Sequence, residues 1–188
     1  MLRQQTLLLS QTFCMATLNV EIKARCNTPE TVRRYLLDAG AEFRGTDHQV
    51  DTYFNVSQGR LKLREGIIEN NLIYYERPDQ EGPRQSSFRL VKVPDAIGLK
   101  AALAASCGIL ATVDKQRGIY YIGNVKFHID EVMGLGSFIE IEAFNGDGLH
   151  GIDTLRQQCD FYIRELGISQ HDLVAVSYSD LLLDKPIN

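Results

Sequence analysis

Short runs of like charge at every second residue are the most chemically suggestive feature of this sequence. In Arg60-Leu61-Lys62-Leu63-Arg64 the three cations alternate with leucine. In Ile139-Glu140-Ile141-Glu142 two carboxylates alternate with isoleucine. Lys115 and Arg117 repeat the cationic spacing, and Glu21, Lys23 and Arg25 place mixed signs at the same interval. Lys126, His128 and Asp130 alternate with Phe127 and Ile129. A spacing of two puts side chains on one face of a β-strand, about 7 Å apart. Any one such strand is explained by an antiparallel sheet with one wet face. Segregation by sign is harder to explain, because solvated faces usually mix charges and like neighbours repel. A bound polyanion relieves a row of cations, and a bound divalent metal relieves a pair of carboxylates. A metal-bound triphosphate supplies both at once.

The elements that carry these residues are mostly strands. Leu18 to Cys26 alternates, Thr28-Pro29 opens a helix running to about Ala39, and Phe43 to Val56 is the next strand. Strands follow at Arg60 to Glu65, Leu72 to Arg77 and Ser86 to Val93, with a polar loop from Pro78 to Gln85. An Ala-rich helix covers Pro94 to Cys107. Three more strands are expected at Ala111 to Ile122, Val125 to Val132 and Phe138 to Phe144. A long helix over Leu149 to Leu166 and a short one near Ser177 complete the chain. Many antiparallel strands with few helices indicate an α+β domain on a large curved or closed sheet.

Composition narrows the class. The chain has 188 residues, 44% hydrophobic and 23% charged, which suits one globular domain rather than a disordered or fibrous chain. Twenty Lys and Arg against 24 Asp and Glu leave a net charge of −4, without the basic excess of a nucleic-acid binder. No apolar run approaches membrane-span length. The four cysteines are widely and irregularly spaced, so zinc and a disulfide framework are disfavoured, and reduced thiols in a cytoplasmic protein are expected. The four histidines are scattered and read as ordinary surface or core residues. Leu7-Leu8-Leu9 loosely resembles a signal peptide but is too short. Residues 1–15 are therefore expected to be a mobile tail or the product of an upstream start, with Met15 an internal alternative, and 16–188 a single domain. No Walker A sequence, dinucleotide loop or nucleophile elbow is present.

The chain resembles the CYTH family, which joins class IV adenylyl cyclases and thiamine triphosphatases, and is most similar to the cyclase-like branch. The segments that carry the resemblance are NVEIKARC, DTYFNVSQGRLKLREG, LIYYERPDQEGPRQSSFRLVKV, DKQRGIYYIGNVKFHIDEVMGLGSFIEIEAF and SYSDLLL. The resemblance implies a closed barrel of eight antiparallel strands with flanking helices and a charged lumen. The family's ExExK signature reads Asn19-Val20-Glu21-Ile22-Lys23, so its first Glu is replaced by Asn19. Glu21, Glu140 and Glu142 fall on metal positions for Mg²⁺ or Mn²⁺. Lys23, Arg60, Lys62, Arg64, Arg89, Lys115 and Arg117 fall on or near phosphate-gripping positions, Lys115 and Arg117 with catalytic roles. Asp130 matches an acidic position that serves as base or metal ligand, and Glu76 an acidic lumen position. The expected function is metal-dependent conversion of ATP to cyclic AMP and pyrophosphate. The alternatives are hydrolysis of an inorganic or organic triphosphate, and non-catalytic polyphosphate or nucleotide binding. The expected partner is a small triphosphate, without nucleic acid or membrane, in a possible homodimer.

Overall fold

A computed structural model describes residues 17–146 and 148–184. The expected tail at residues 1–15 lies outside the described residues. Among the described residues there are eight strands: β1 (Thr17–Arg25), β2 (Glu42–Phe54), β3 (Arg60–Glu65), β4 (Asn71–Glu76), β5 (Arg84–Lys92), β6 (Ile109–Ile122), β7 (Val125–Val132) and β8 (Gly136–Phe144). They close in the order β1-β5-β4-β3-β2-β6-β7-β8, and β8 pairs back onto β1. Every pairing is antiparallel. The closed α+β barrel expected from the sequence is the observed fold. A bulge between Phe43 and Gly45 bends β2 against β6, and Gly45 takes φ +126°, which only glycine adopts easily.

Two of the three apolar clusters lie outside the barrel wall, and the third, with Tyr53, Ile73, Tyr75, Val113, Val132 and Phe138, shares the inward parity. Val20, Ile22 and Ala24 of β1 join Phe127 and Ile129 of β7 and Ile139 and Ile141 of β8 beneath two helices. These are α1 (Pro29–Asp38), which buries Val32 and Leu36, and α3 (Ile152–Glu165), which buries Leu155 and Cys159. On the opposite wall α2 (Ala96–Cys107) leans Leu99 and Leu103 against Phe54, Leu63 and Val93. Once one residue parity is committed to this outer layer, the other must face inward. The charged parity therefore fills the lumen.

Two boundaries differ from the sequence reading in ways that matter. β5 begins at Arg84, within the segment expected to be loop, because Arg84 pairs in register with Glu21. α3 begins at Ile152 rather than Leu149, after Gly151. The expected short helix is α4 (Tyr178–Leu183). Its N-terminus carries a reciprocal capping box between Ser177 and Asp180. The segment before it runs into the barrel, where Val174 N–H donates to the Lys23 carbonyl. Tyr178, Leu181 and Leu182 cover Val113, Val132 and Phe138 at one end of the lumen. Among the described residues no helix is long and apolar enough to cross a membrane.

Candidate active site

Register places the chemistry in rows across neighbouring strands. Glu21 of β1 stands opposite Glu142 of β8, which stands opposite Lys126 of β7. One step along, Lys23 faces Glu140, which faces His128. On the far wall Asp51 of β2 pairs with Arg64 of β3. All of these except Asp51 border one cavity of about 260 Å³.

Asp51 organises the cationic wall. It is fully buried and accepts from Lys62 at 2.9 Å, from Arg64 at 2.8 and 3.0 Å, and from Lys115 at 2.7 Å. Burial pushes its pKa up, but Arg64, Lys115 and Lys62 together hold it well below the ordinary value. Lys62, Arg64, Lys115 and Lys126 outnumber Asp51 and Glu69, which leaves a positive excess facing the cavity. Burial, with Arg117 beside it, lowers the Lys115 pKa to about 7. Lys23 is lowered to about 8, again chiefly by burial.

Glu69 enters this wall from the loop between β3 and β4. Asp47 accepts the backbone N–H groups of Ile67, Ile68 and Glu69 at 2.8, 3.0 and 3.0 Å, and so shapes the loop. A Cβ on Gly66 would lie 2.5 Å from the Asp47 carboxylate, so the tight turn requires glycine there. Glu69 then accepts from Arg64 at 2.6 Å and Gln49 at 3.0 Å, and pairs with Lys126.

The anionic wall is divided. Glu21 is held by Arg77 and by Arg84, whose Nε donates at 3.2 Å. Glu140 accepts from Arg117 at 2.6 Å and lies 3.4 Å from the Lys23 ammonium. Arg117 in turn donates its Nε to Asp130 at 2.7 Å, and Asp130 also accepts from the Tyr178 hydroxyl at 2.8 Å. Burial raises the Asp130 pKa, but Arg117 brings it below its usual value. Glu142 makes no ion pair with a Lys or Arg among the described residues. Burial, reinforced by Glu21 and Glu140 and opposed by Lys126, raises its pKa to about 7.

His128 completes a candidate metal position. One ring nitrogen of His128 and one carboxylate oxygen each of Glu140 and Glu142 lie within 4.8 Å of one another. Among the described residues neither His128 nitrogen has a hydrogen-bond partner of good geometry, although the ring is buried. Burial, followed by Arg117 and Lys126, lowers the His128 pKa to about 3, so the ring is neutral and its lone pair available. A buried orphan imidazole beside a carboxylate without a cation fits a divalent metal.

The remaining end of the cavity differs in character. Ile73, Phe88, Leu90 and Phe144 line it, with Asn19, Asn71 and Ser86 among them. Asn19 pairs with Ser86 and Phe144, at the start of β1, away from α4. Its buried side-chain oxygen has no hydrogen-bond partner.

Of the sequence-derived candidates, the cavity is lined by Glu21, Lys23, Lys62, Arg64, Lys115, Arg117, Glu140 and Glu142. Asp130 stands behind Arg117. Arg60 lies at the end covered by α4, paired with Asp79 at 2.8 Å and Asp180 at 3.0 Å. Arg89 and Glu76 are not in the lumen. Phe88 and Leu90 face inward, so Arg89 is turned outward and sits over the Tyr74 ring. Tyr75 and Arg77 face inward, so Glu76 is exposed and accepts from the Tyr74 hydroxyl. Sequence reasoning missed Asp51, Glu69, Arg77, Arg84, His128 and Tyr178. The alternation Asp47, Gln49, Asp51, Tyr53 was a usable signal for the first of these.

The family model for the CYTH domain matches residues 17–178. A Methanocaldococcus jannaschii protein named as a proposed adenylate cyclase is 24% identical over 173 residues, covering 87% of this chain and 98% of that one. The PH1012 protein of Pyrococcus horikoshii superposes with a TM-score of 0.72 at 23% identity, over 87% of this chain and 98% of that chain. An adenylyl-cyclase-like protein of Hippeastrum, whose dominant activity is that of a triphosphatase, superposes with a TM-score of 0.59 at 12% identity, over 89% and 94% of the two chains.

Proposed function

The chain belongs to the CYTH domain family, and from that premise we propose that its lumen binds a metal-associated nucleoside triphosphate and converts ATP to cyclic AMP and pyrophosphate. The observation that carries this reading is the composition of one cavity. A wall of excess positive charge at Lys62, Arg64 and Lys115 faces a His128/Glu140/Glu142 cluster, and an apolar end adjoins both. The charged part suits a triphosphate with a divalent cation, and the apolar end suits a nucleoside.

In cyclisation the ribose 3′-oxygen attacks the α-phosphorus, the bond to the bridging oxygen breaks, and pyrophosphate leaves. Such chemistry is mostly positioning and charge neutralisation. His128, Glu140 and Glu142 would hold a divalent cation, which would supply Lewis-acid polarisation when bound. Lys62, Arg64 and Lys115 offset charge on the departing pyrophosphate. Bound phosphate raises the Lys115 pKa from its ligand-free value of about 7, so Nζ stays cationic against the leaving group, and the 3′-hydroxyl proton passes to solvent. Asp130 is occupied by Arg117 and Tyr178, so it acts as a positioning residue that aims Arg117 rather than as the base.

Hydrolysis of a triphosphate by water is the second reading, favoured by the dominant activity of the Hippeastrum relative. Purified protein incubated with ATP and with tripolyphosphate, under Mg²⁺ and then Mn²⁺, separates them. Cyclic AMP and pyrophosphate support cyclisation, whereas ADP and phosphate support hydrolysis. Tight binding without any turnover makes the chain a binding module, the reading that Asn19 favours. Glu140→Ala should abolish metal-dependent turnover, while Asn19→Glu should preserve or raise it. Wild-type turnover in Glu140→Ala would contradict the assigned site.

A further inference from the structure

We infer that His128 is a nitrogen donor to the divalent-metal position, so that this lumen prefers first-row d-block ions to Mg²⁺. The inference deepens the metal half of the proposed function and does not depend on which triphosphate reacts.

The evidence is geometric. His128 is 1% exposed, and among the described residues neither ring nitrogen has a hydrogen-bond partner of good geometry. Buried polar groups are nearly always satisfied, so an imidazole orphaned at both nitrogens is unusual. Its Nδ1 lies 3.4 Å from a Glu140 oxygen and 3.5 Å from a Glu142 oxygen, both longer than a well-formed hydrogen bond. Donor atoms at right angles about an ion with bonds of about 2.2 Å stand about 3.1 Å apart. A small contraction of the observed spacing therefore yields two edges of a coordination shell. The register makes this placement a property of the sheet, because His128 and Glu140 are direct cross-strand partners. Glu142, two residues along on the same face of β8, brings the second oxygen to the same nitrogen.

The donor set decides the ion. Mg²⁺ favours oxygen ligands and keeps much of its hydration. An imidazole nitrogen adds affinity for d-block ions, weakest at Mn²⁺ and rising through Co²⁺ to Zn²⁺. Mn²⁺ is the most demanding probe, since it gains least from nitrogen and most resembles Mg²⁺.

The test uses Mn²⁺ alone, added to the whole protein without any triphosphate. Free Mn²⁺ is read by electron paramagnetic resonance while Mg²⁺ is titrated in as competitor, and pulsed measurements look for ¹⁴N coupling to the bound ion. One bound Mn²⁺, displaced only by an excess of Mg²⁺ above about tenfold, with nitrogen coupling, is the expected result. Loss of a partner merely behind a metal ligand already weakens binding about 10–100-fold. His128→Ala should therefore lower Mn²⁺ affinity by at least about tenfold and abolish the nitrogen coupling. Glu76→Ala, on the outer face, should change neither. Equal displacement by Mg²⁺, an all-oxygen coordination signal, or no bound Mn²⁺ would overturn the inference. The wild-type coupling decides the matter even if His128→Ala does not fold. ATP turnover is not part of this measurement, so its failure and that of the proposed reaction remain distinguishable.

Discussion

Asp51 holds three buried cations in place, and under the proposed function it competes with phosphate for them. Removing one partner from a buried ion pair typically costs about 3–5 kcal/mol, because the remaining charge is left uncompensated. Asp51→Ala should lower the unfolding free energy by at least about 3 kcal/mol in denaturant titrations. A polyanion can replace the missing carboxylate, so tripolyphosphate should stabilise this variant more than it stabilises the wild type. Equal stabilisation of both would mean that the anion binds away from Lys62, Arg64 and Lys115. The lysines also predict a proton linkage. Folding lowers the Lys115 pKa to about 7 and that of Lys23 to about 8, so between there and about pH 10 the unfolded chain binds more protons. These two groups therefore make the ligand-free protein more stable as pH rises through that window. A bound phosphate chain raises both values again. Metal-free ATP binding at pH 8 should accordingly take up protons, seen by calorimetry in buffers of different ionisation enthalpy. Lys115→Met should take up fewer, and affinity should fall as pH rises from about 7 to 9. Proton release on binding would contradict the placement of these lysines against phosphate.

Among the elements, α4 and the residues before it decide which end of the lumen is covered. The Ser177–Asp180 capping box orients the helix, and the same Asp180 carboxylate receives Arg60 at 3.0 Å. Asp180→Ala removes the half of the capping box that Asp180 supplies and should cost about 1 kcal/mol, with a further small loss from the ion pair. Urea titration checks the value, and no change would mean that α4 is held by its leucines alone. The strands and their faces were legible in the sequence because alternation with period two survives wherever one face is apolar. β3 is an unambiguous case, where Lys62 and Arg64 interleave with Leu61 and Leu63. The faces of β2 were not read, although Asp47, Gln49 and Asp51 follow the same parity. Arg84 was lost because it adjoins a polar loop, and only its register with Glu21 reveals it as strand. Glu69 was beyond sequence reasoning, since its place depends on three N–H groups gathered by Asp47 from another strand. His128 was set aside because its partners Glu140 and Glu142 are distant along the chain and meet it only by cross-strand pairing.

In the molecule as a whole the usual order of a small barrel is inverted. Two hydrophobic layers lie between the barrel wall and the helices, and the lumen holds ion pairs beside a smaller apolar cluster around a cavity. Buried ion pairs are weak evidence for stability, since desolvation offsets most of their attraction. Under the proposed function, this interior serves a charged ligand that enters it. The most direct test is a crystal structure of the protein with Mn²⁺ and a non-reactive ATP analogue, using anomalous scattering to locate the ion. The account predicts Mn²⁺ between His128, Glu140 and Glu142, phosphates against Lys62, Arg64 and Lys115, and the nucleoside against Phe88 and Phe144. A lumen without phosphate, or a triphosphate held on the outer surface beside Arg89 and Glu76, would contradict it.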